Sequence, residues 1–280
     1  MQALVAIPVY NEALTLSRVV DATLEHAGRI LLIDDGSDDG TREVAEQLAD
    51  SHGESVACIT HGTNAGYGAA LMSAFGWAHE RGFPWVITMD CDEQHEPAAI
   101  PLFLEAIARD DADIISGSRY LDTSMDAVGT APGERRAINL TLTAEINARL
   151  SATLGTRITD AFCGFKAHRV GPTVGLGLTE RGYAFPMQLW PRAAGHGLRI
   201  REIPVRLIYN DPNRTFGAGL DDHERRLAHY RSVLHAEFEL DRRDGLGGEP
   251  GGEPGGERGE ERGEDHIENP RTEPQSSDGF

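Results

Sequence analysis

A chain of 280 residues with 40% hydrophobic content can bury one sizeable core, and its formal net charge of −19 excludes a broad basic surface for nucleic acid. No apolar run approaches the roughly 20 residues of a membrane-spanning helix, and "MQALVAIPVYNE" lacks the basic leader of a signal peptide. Cys58, Cys91 and Cys163 show no metal or redox spacing, so the expectation is a cytoplasmic protein with reduced thiols, whose dealings with a membrane are peripheral, at its inner face or through a membrane partner protein.

"ALVAIPV" (3–9) reads as a first strand, and Leu16, Val19, Val20, Leu24 and Ala27 then recur at helical spacing. "RILLID" (29–34) predicts a strand, "GTREVAEQLAD" a helix and "SVACIT" (55–60) a strand. A Gly-led helix over "GYGAALMSAFGWAHE", a strand over "WVITMD", a helix over "PAAIPLFLEAIAR" and a strand over "DIISGS" (113–118) follow. Strands alternating with helices call for a mostly parallel central sheet with helices on both faces, an α/β Rossmann-like architecture. Further on, the spacing predicts helices over about 134–154 and 184–194, a strand over "IREIPVRLIY" (200–209), and a last helix from Asp221 carrying Leu227, Tyr230, Leu234 and Phe238. That stripe, with Arg225, Arg226 and Arg231 beside it, suits either packing on the domain or lying on a membrane surface. From Gly245 the composition turns to Gly, Pro and Glu with a short GGEP repeat. Ten acids against three arginines give residues 245–280 a net −7, leaving −12 elsewhere. The predicted organisation is one catalytic domain over 1–243 and a disordered acidic tail over 244–280.

Ligands of open parallel sheets bind beyond the carboxyl ends of the strands. Here those ends are Pro8-Val9-Tyr10-Asn11-Glu12, Asp34-Asp35-Gly36-Ser37, Thr63 to Gly68, Asp90-Cys91-Asp92 and Ser116-Gly117-Ser118-Arg119. Two carboxylates one residue apart at a strand exit can turn toward one divalent cation, and the Gln94 amide oxygen can add a ligand. Mg²⁺ or Mn²⁺ held by Asp90, Asp92 and Gln94 would neutralise a departing diphosphate. Taken alone, Asp-x-Asp is also what an exposed turn looks like. Asp35 can accept hydrogen bonds from a base or ribose, or simply build a turn with Gly36 and Ser37; Tyr10 and Glu12 can reach the same nucleoside. His95, beside the acids, is expected to be structural.

"IPVYNE", "LIDDGSDDGT", "NAGYGAA", "MDCDEQHEP", "GSRY" and "DAFCGFKA" together resemble the ordered motifs of family 2 glycosyltransferases with the GT-A fold, in particular the dolichyl- or polyprenyl-phosphate mannosyltransferase branch. The resemblance spans about Val5 to Gly217. It implies that Pro8, Tyr10, Glu12 and Asp35 contact the donor nucleotide. Asp90, Cys91, Asp92 and Gln94 would then sit at the metal and diphosphate, and Arg119, Arg135 and Arg214 would bind phosphate. It also implies an inverting transfer of mannose from GDP-mannose, or glucose from UDP-glucose, to a polyprenyl or dolichyl phosphate. Asp92, Arg119 and Asp160 carry the chemistry in that reading, Asp160 orienting the acceptor or the arginines, or capping the turn before Gly164.

Two departures stand out. Gln188 occupies a position where relatives commonly carry glutamate, and an amide cannot act as general base. A Ser-Lys pair expected after "EIPV" is absent, and Arg214 is the basic residue nearest that place. Two alternatives stay open: transfer to a soluble or polysaccharide hydroxyl with Asp160 as base, and a catalytically silent nucleotide-sugar-binding protein.

Overall fold

The computed structural model describes residues 3–122, 127–129, 133–209 and 222–243. Strands β1 (Ala3–Val9), β2 (Ile30–Asp34), β3 (Val56–Thr60), β4 (Trp85–Thr88), β5 (Ile114–Ser118), β6 (Lys166–Arg169) and β7 (Ile200–Pro204) form one seven-stranded sheet. Its order is β3-β2-β1-β4-β6-β5-β7, and every pairing is parallel except those of β6, which runs antiparallel between β4 and β5. The carboxyl ends of β1, β2, β4 and β5 therefore share one edge.

Alternation along each strand divides the core into two layers. Val5, Ile7 and Val9 of β1, with Ile30 and Leu32 of β2, face helices α1 (Leu16–Leu24), α2 (Thr41–His52) and α4 (Ile100–Ala108). Leu4 and Ala6, with Leu31 and Ile33, face α3 (Tyr67–Glu80), α6 (Val170–Gly175) and α7 (Phe185–Gly195). Each of these Val, Leu and Ile side chains, fully buried, stabilises the fold by about 1.5–3 kcal/mol. A third cluster joins α5 (Gly133–Leu154), α7 and α8 (His223–Arg243) through Leu142, Ile146, Trp190, Tyr230, Leu234 and Phe238. The apolar stripe of α8 is thus spent on the domain, and Arg231 is paired with Glu145 at 2.8 Å. Among the described residues no helix is long and apolar enough to cross a membrane.

The predicted elements through β5 are all present, and the long helices α5, α7 and α8 stand where helical spacing places them. Two corrections concern the second half. The strand expected over 200–209 ends at Pro204, after which Ile208 makes only an isolated bridge to Val128. Strand β6 and helix α6 were not foreseen. "KAHR" has no apolar alternation, yet Lys166, Ala167 and His168 are buried because neighbours flank the strand on both sides.

Candidate active site

The loops after β1 and β2 are bound to each other. Asn11 N donates to Ser37 Oγ (3.0 Å), Glu12 N to Thr41 Oγ1 (2.8 Å), and Asp38 N to Asn11 Oδ1 (3.0 Å). Asn11 holds a left-handed φ of 57°, which Asn tolerates better than most residues. Asp34 is wholly buried, accepting from Ser37 N and pairing with Arg42, so the first acid of "DDGS" builds the turn. Asp35, the second, accepts from Ala65 N (2.9 Å), Gly66 N (2.8 Å) and His61 Nδ1 (2.6 Å), and His61 Nε2 meets Ser73 Oγ at 2.9 Å. Much of its hydrogen-bonding capacity therefore fixes the 61–66 loop that forms the floor beside it.

At the exit of β4, Tyr67 donates its hydroxyl to Asp90 Oδ1 (3.1 Å), and Gln94 N donates to Asp92 Oδ1 (3.1 Å). Burial and the Asp90 carboxylate push the Tyr67 phenol well above its ordinary pKa, so it remains a donor. Gly164 leaves room for this pair, since a Cβ there would lie 2.7 Å from Asp90 Oδ2 and 2.8 Å from the Tyr67 hydroxyl and would displace them. Glu93, between the acids and Gln94, holds a φ of 59°, a strained turn of the kind that clusters at functional sites. The Asp90 N–H donates to Nδ1 of buried His95 at 2.9 Å, which gives His95 a structural role. Burial opposes charge on that ring and the Asp90 carboxylate favours it; the amide hydrogen bond needs the Nδ1 lone pair, so Nδ1 carries no proton in this geometry.

At the exit of β5, Arg119 grips Asp160 with two side-chain bonds, Nε to Oδ2 (2.7 Å) and Nη2 to Oδ1 (2.9 Å), while its backbone N–H also donates to Oδ2. Asn139 of α5 adds a fourth donor at 2.7 Å. Asp160 is fully buried; burial alone would raise its pKa, but Arg119 outweighs that and holds the carboxyl well below the usual range. Arg119 is raised in turn by Asp160 against its own burial. A carboxylate so committed orients a guanidinium and has no driving force to take a proton from an alcohol.

These pieces line one cleft of about 1040 Å³. Pro8, Tyr10, Glu12, Asp35, Asp90, Cys91, Asp92 and Gln94 line it from the exits of β1, β2 and β4, the acidic half; Arg119 from the exit of β5, Arg135 and Arg136 of α5 and Arg226 of α8 also line it and are termed its basic half. Asp160 stands behind Arg119 and does not line the cleft. Arg214 lies outside the described residues. Gln188 is not at the cleft at all: its Oε1 accepts from Thr179 N and Glu180 N, and its Nε2 donates to Glu237 Oε1 at 2.6 Å. The sequence reading missed Tyr67, Asn139, Tyr209 and Arg226; of these Tyr67 stood inside the "NAGYGAA" motif, whereas the other three are joined to the cleft only by the fold.

The donor set can be judged against a divalent cation. Among the described residues no three His, Cys, Asp or Glu side chains converge to hold a metal unaided. Two carboxylates with one amide suit a hard cation of the Mg²⁺ type, which takes the rest of its shell from substrate phosphates and water. The residues present fit such an ion.

Comparison with known proteins places this arrangement. The fold is shared with glucosyl-3-phosphoglycerate synthase from Mycobacterium tuberculosis in complex with phosphoglyceric acid (TM-score 0.58, 17% identity, 84% of this chain and 79% of that one). It is shared also with S. aureus TarS in complex with UDP-GlcNAc (TM-score 0.53, 14% identity, 86% and 72%). The fold is thus the GT-A fold of nucleotide-sugar glycosyltransferases. The sequence profile of Glycosyl transferase family 2 matches residues 4–172, and the chain belongs to that family of enzymes. It is 33% identical to an undecaprenyl-phosphate mannosyltransferase of Micrococcus luteus over 74% of this chain and 84% of that protein. It is also 33% identical to a polyprenol monophosphomannose synthase of Mycolicibacterium smegmatis over 73% and 76%. Family 2 enzymes of this fold commonly use a divalent metal, in keeping with the Asp90–Asp92 exit.

Proposed function

We propose that this glycosyltransferase moves mannose from GDP-mannose to a polyprenyl phosphate, with inversion at the anomeric carbon. The observation that carries this reading is the origin of the charges that line one cleft: Glu12, Asp35, Asp90 and Asp92 come from the exits of β1, β2 and β4, whereas Arg119 comes from the exit of β5 and Arg135, Arg136 and Arg226 from α5 and α8, elements that among the described residues bring no carboxylate to the lining. The acidic half suits a metal-bound diphosphate, and the basic half suits an anionic acceptor. The names of the two relatives point to the same acceptor class.

In this mechanism Pro8, Tyr10, Glu12 and Asp35 hold the nucleoside, and Asp90, Asp92 and Gln94 would hold Mg²⁺ or Mn²⁺ against the diphosphate. The metal supplies charge neutralisation of the leaving group. Arg119, held rigid by Asp160, adds a preorganised cation where negative charge develops, which requires no reorganisation during reaction. The acceptor's phosphate oxygen, already anionic at neutral pH, forms the new bond to the anomeric carbon as the bond to the diphosphate breaks, and the nucleoside diphosphate departs. No proton has to be removed from the nucleophile, which accords with Asp160 being committed to Arg119 and Asn139. The polyprenyl substrate would bring the chain to a membrane surface peripherally.

Incubating purified protein and Mn²⁺ with labelled GDP-mannose or UDP-glucose, and either polyprenyl phosphate or soluble sugars, tests this directly. Label should pass from GDP-mannose to the lipid phosphate alone. Transfer only to a free sugar hydroxyl would replace this reading, and tight nucleotide binding with no transfer to any acceptor would point to a silent binding protein. Asp92→Ala should abolish metal-dependent donor binding, read by calorimetry, while the circular dichroism spectrum is unchanged. Undiminished turnover in excess chelator would remove the metal from the account.

A further inference from the structure

Tyr209 presents a feature that donor binding does not use. Its side chain lines the basic half of the cleft, it is only 9% exposed, and its hydroxyl has no hydrogen-bond partner among the described residues. A buried phenol left without a partner costs about 1–3 kcal/mol, so such a group calls for a ligand. Its position is built rather than incidental. Tyr209 N donates to Val128 O (2.7 Å) and Val128 N to Leu207 O (2.9 Å), which pins the segment from both sides. Gly129, at a φ of +75°, allows this approach because a Cβ there would run into the Tyr209 carbonyl oxygen. The Arg135 guanidinium stands 5.5 Å from the centre of the Tyr209 ring.

Arg226 is the second member. It is 4% exposed, lines the same half of the cleft, and comes from α8, an element far along the chain from the motif-bearing loops. Arg226 and Arg135 both act electrostatically on the phenol of Tyr230, which burial pushes up to about 12, so the two guanidiniums converge on one region from α8 and α5. A neutral O–H donor with one guanidinium near its ring and a second lining the same cleft is the chemistry of a phosphate-monoester subsite.

We propose that Tyr209 and Arg226 bind the phosphate of the acceptor, Tyr209 donating a hydrogen bond from its phenol and Arg226 pairing with the phosphate charge, and that together they select a phosphorylated acceptor over its alcohol. This rests on the transferase reading above, and it adds two residues that no sequence motif marks.

The test uses the full chain loaded with GDP and Mn²⁺ and titrated calorimetrically with geranyl phosphate, a soluble short prenyl phosphate, and with geraniol. Wild type should bind the phosphate and not the alcohol. Y209F removes a single oxygen that has no hydrogen-bond partner among the described residues, so the fold should be kept, as the circular dichroism spectrum checks, and it should weaken geranyl phosphate about tenfold. R226Q should weaken it by about a hundredfold, with R226K recovering part of the loss. GDP affinity should be the same in all four proteins. Equal binding of geranyl phosphate to wild type and both Y209F and R226Q, or equal binding of geraniol and its phosphate to wild type, overturns the assignment. If the phosphate binds in a Tyr209-dependent way but no labelled mannose is transferred, the transferase reading fails and the subsite stands.

Discussion

Gln188 and Glu237 meet at 2.6 Å in a buried contact that also contains Arg192, which bonds both Glu237 oxygens at 2.8 and 3.1 Å. The amide is the right group there because it presents an acceptor to two backbone N–H groups on one side and a donor to a carboxylate on the other. Gln188→Glu would set two carboxylates against each other with one guanidinium between them. We expect it to destabilise the fold by about 2 kcal/mol, seen as a lower urea midpoint, and to confer no transfer to hydroxyl acceptors. Adding Glu237→Gln should restore most of the loss by reversing the polarity of the bond. A new hydroxyl-acceptor activity in the single variant would show that this side chain reaches the cleft after all. The same reasoning separates the two acids of "DDGS": neighbouring carboxylates of one type are divided by the fold into a buried turn-builder, Asp34, and a cleft residue, Asp35.

Elements written in strong periodicity were legible from the sequence, and elements written in context were not. β1, β2 and β4 are short continuous apolar runs and the helices after them carry apolar repeats near 3.6 residues, and the motif loops at the strand ends follow from where parallel strands finish. β6 lacks any repeat: Lys166 is buried, its ammonium bonded to the Cys163 carbonyl and 5.3 Å from the Trp190 ring centre, so a charged residue stands where a pattern calls for an apolar one. The basic half of the cleft was hidden for a related reason. Arg226 and Tyr230 are four residues apart on α8 and look like part of an amphipathic surface helix; only the docking of α8 on α5 and α7 turns them toward the site. That docking can be weakened on its own. Leu234 is fully buried and does not line the cleft, so Leu234→Ala should cost about 3 kcal/mol and loosen the α8 wall. Acceptor KM should rise while GDP affinity, which the proposed mechanism assigns to the loops after β1, β2 and β4, is kept. A parallel loss of both would mean that the two halves of the cleft are not built independently.

At the scale of the whole molecule, acid stability depends on a group in the middle of the sheet. His168 of β6 is 1% exposed, its ring is 4.9 Å from that of Phe75, and its Nδ1 has no hydrogen-bond partner among the described residues. Burial, reinforced by the Lys166 charge, pushes its pKa down from 6.5 to about 3. The unfolded chain therefore takes up a proton below pH 6.5 that the folded chain refuses until about pH 3. Stability from this group is full above pH 6.5 and is lost as pH falls through that window. Asp160, also depressed, adds a loss of the same sign, confined to pH below its ordinary carboxylate value of 3.8. Near pH 5, of these two groups only His168 differs between the folded and unfolded states, and at about 1.4 kcal/mol per pH unit it removes about 2 kcal/mol relative to pH 7. His168→Phe keeps an aromatic ring against Phe75 and cannot titrate. Urea midpoints of both proteins at pH 7 and pH 5 isolate the effect, because every other carboxylate and histidine, with the acidic 245–280 segment, is common to the pair. Wild type should lose about 2 kcal/mol more than the variant between the two pH values, whatever the variant's absolute stability. Parallel slopes would mean that the buried ring accepts its proton without cost, and that the acid sensitivity of this strongly anionic chain lies in its carboxylates instead.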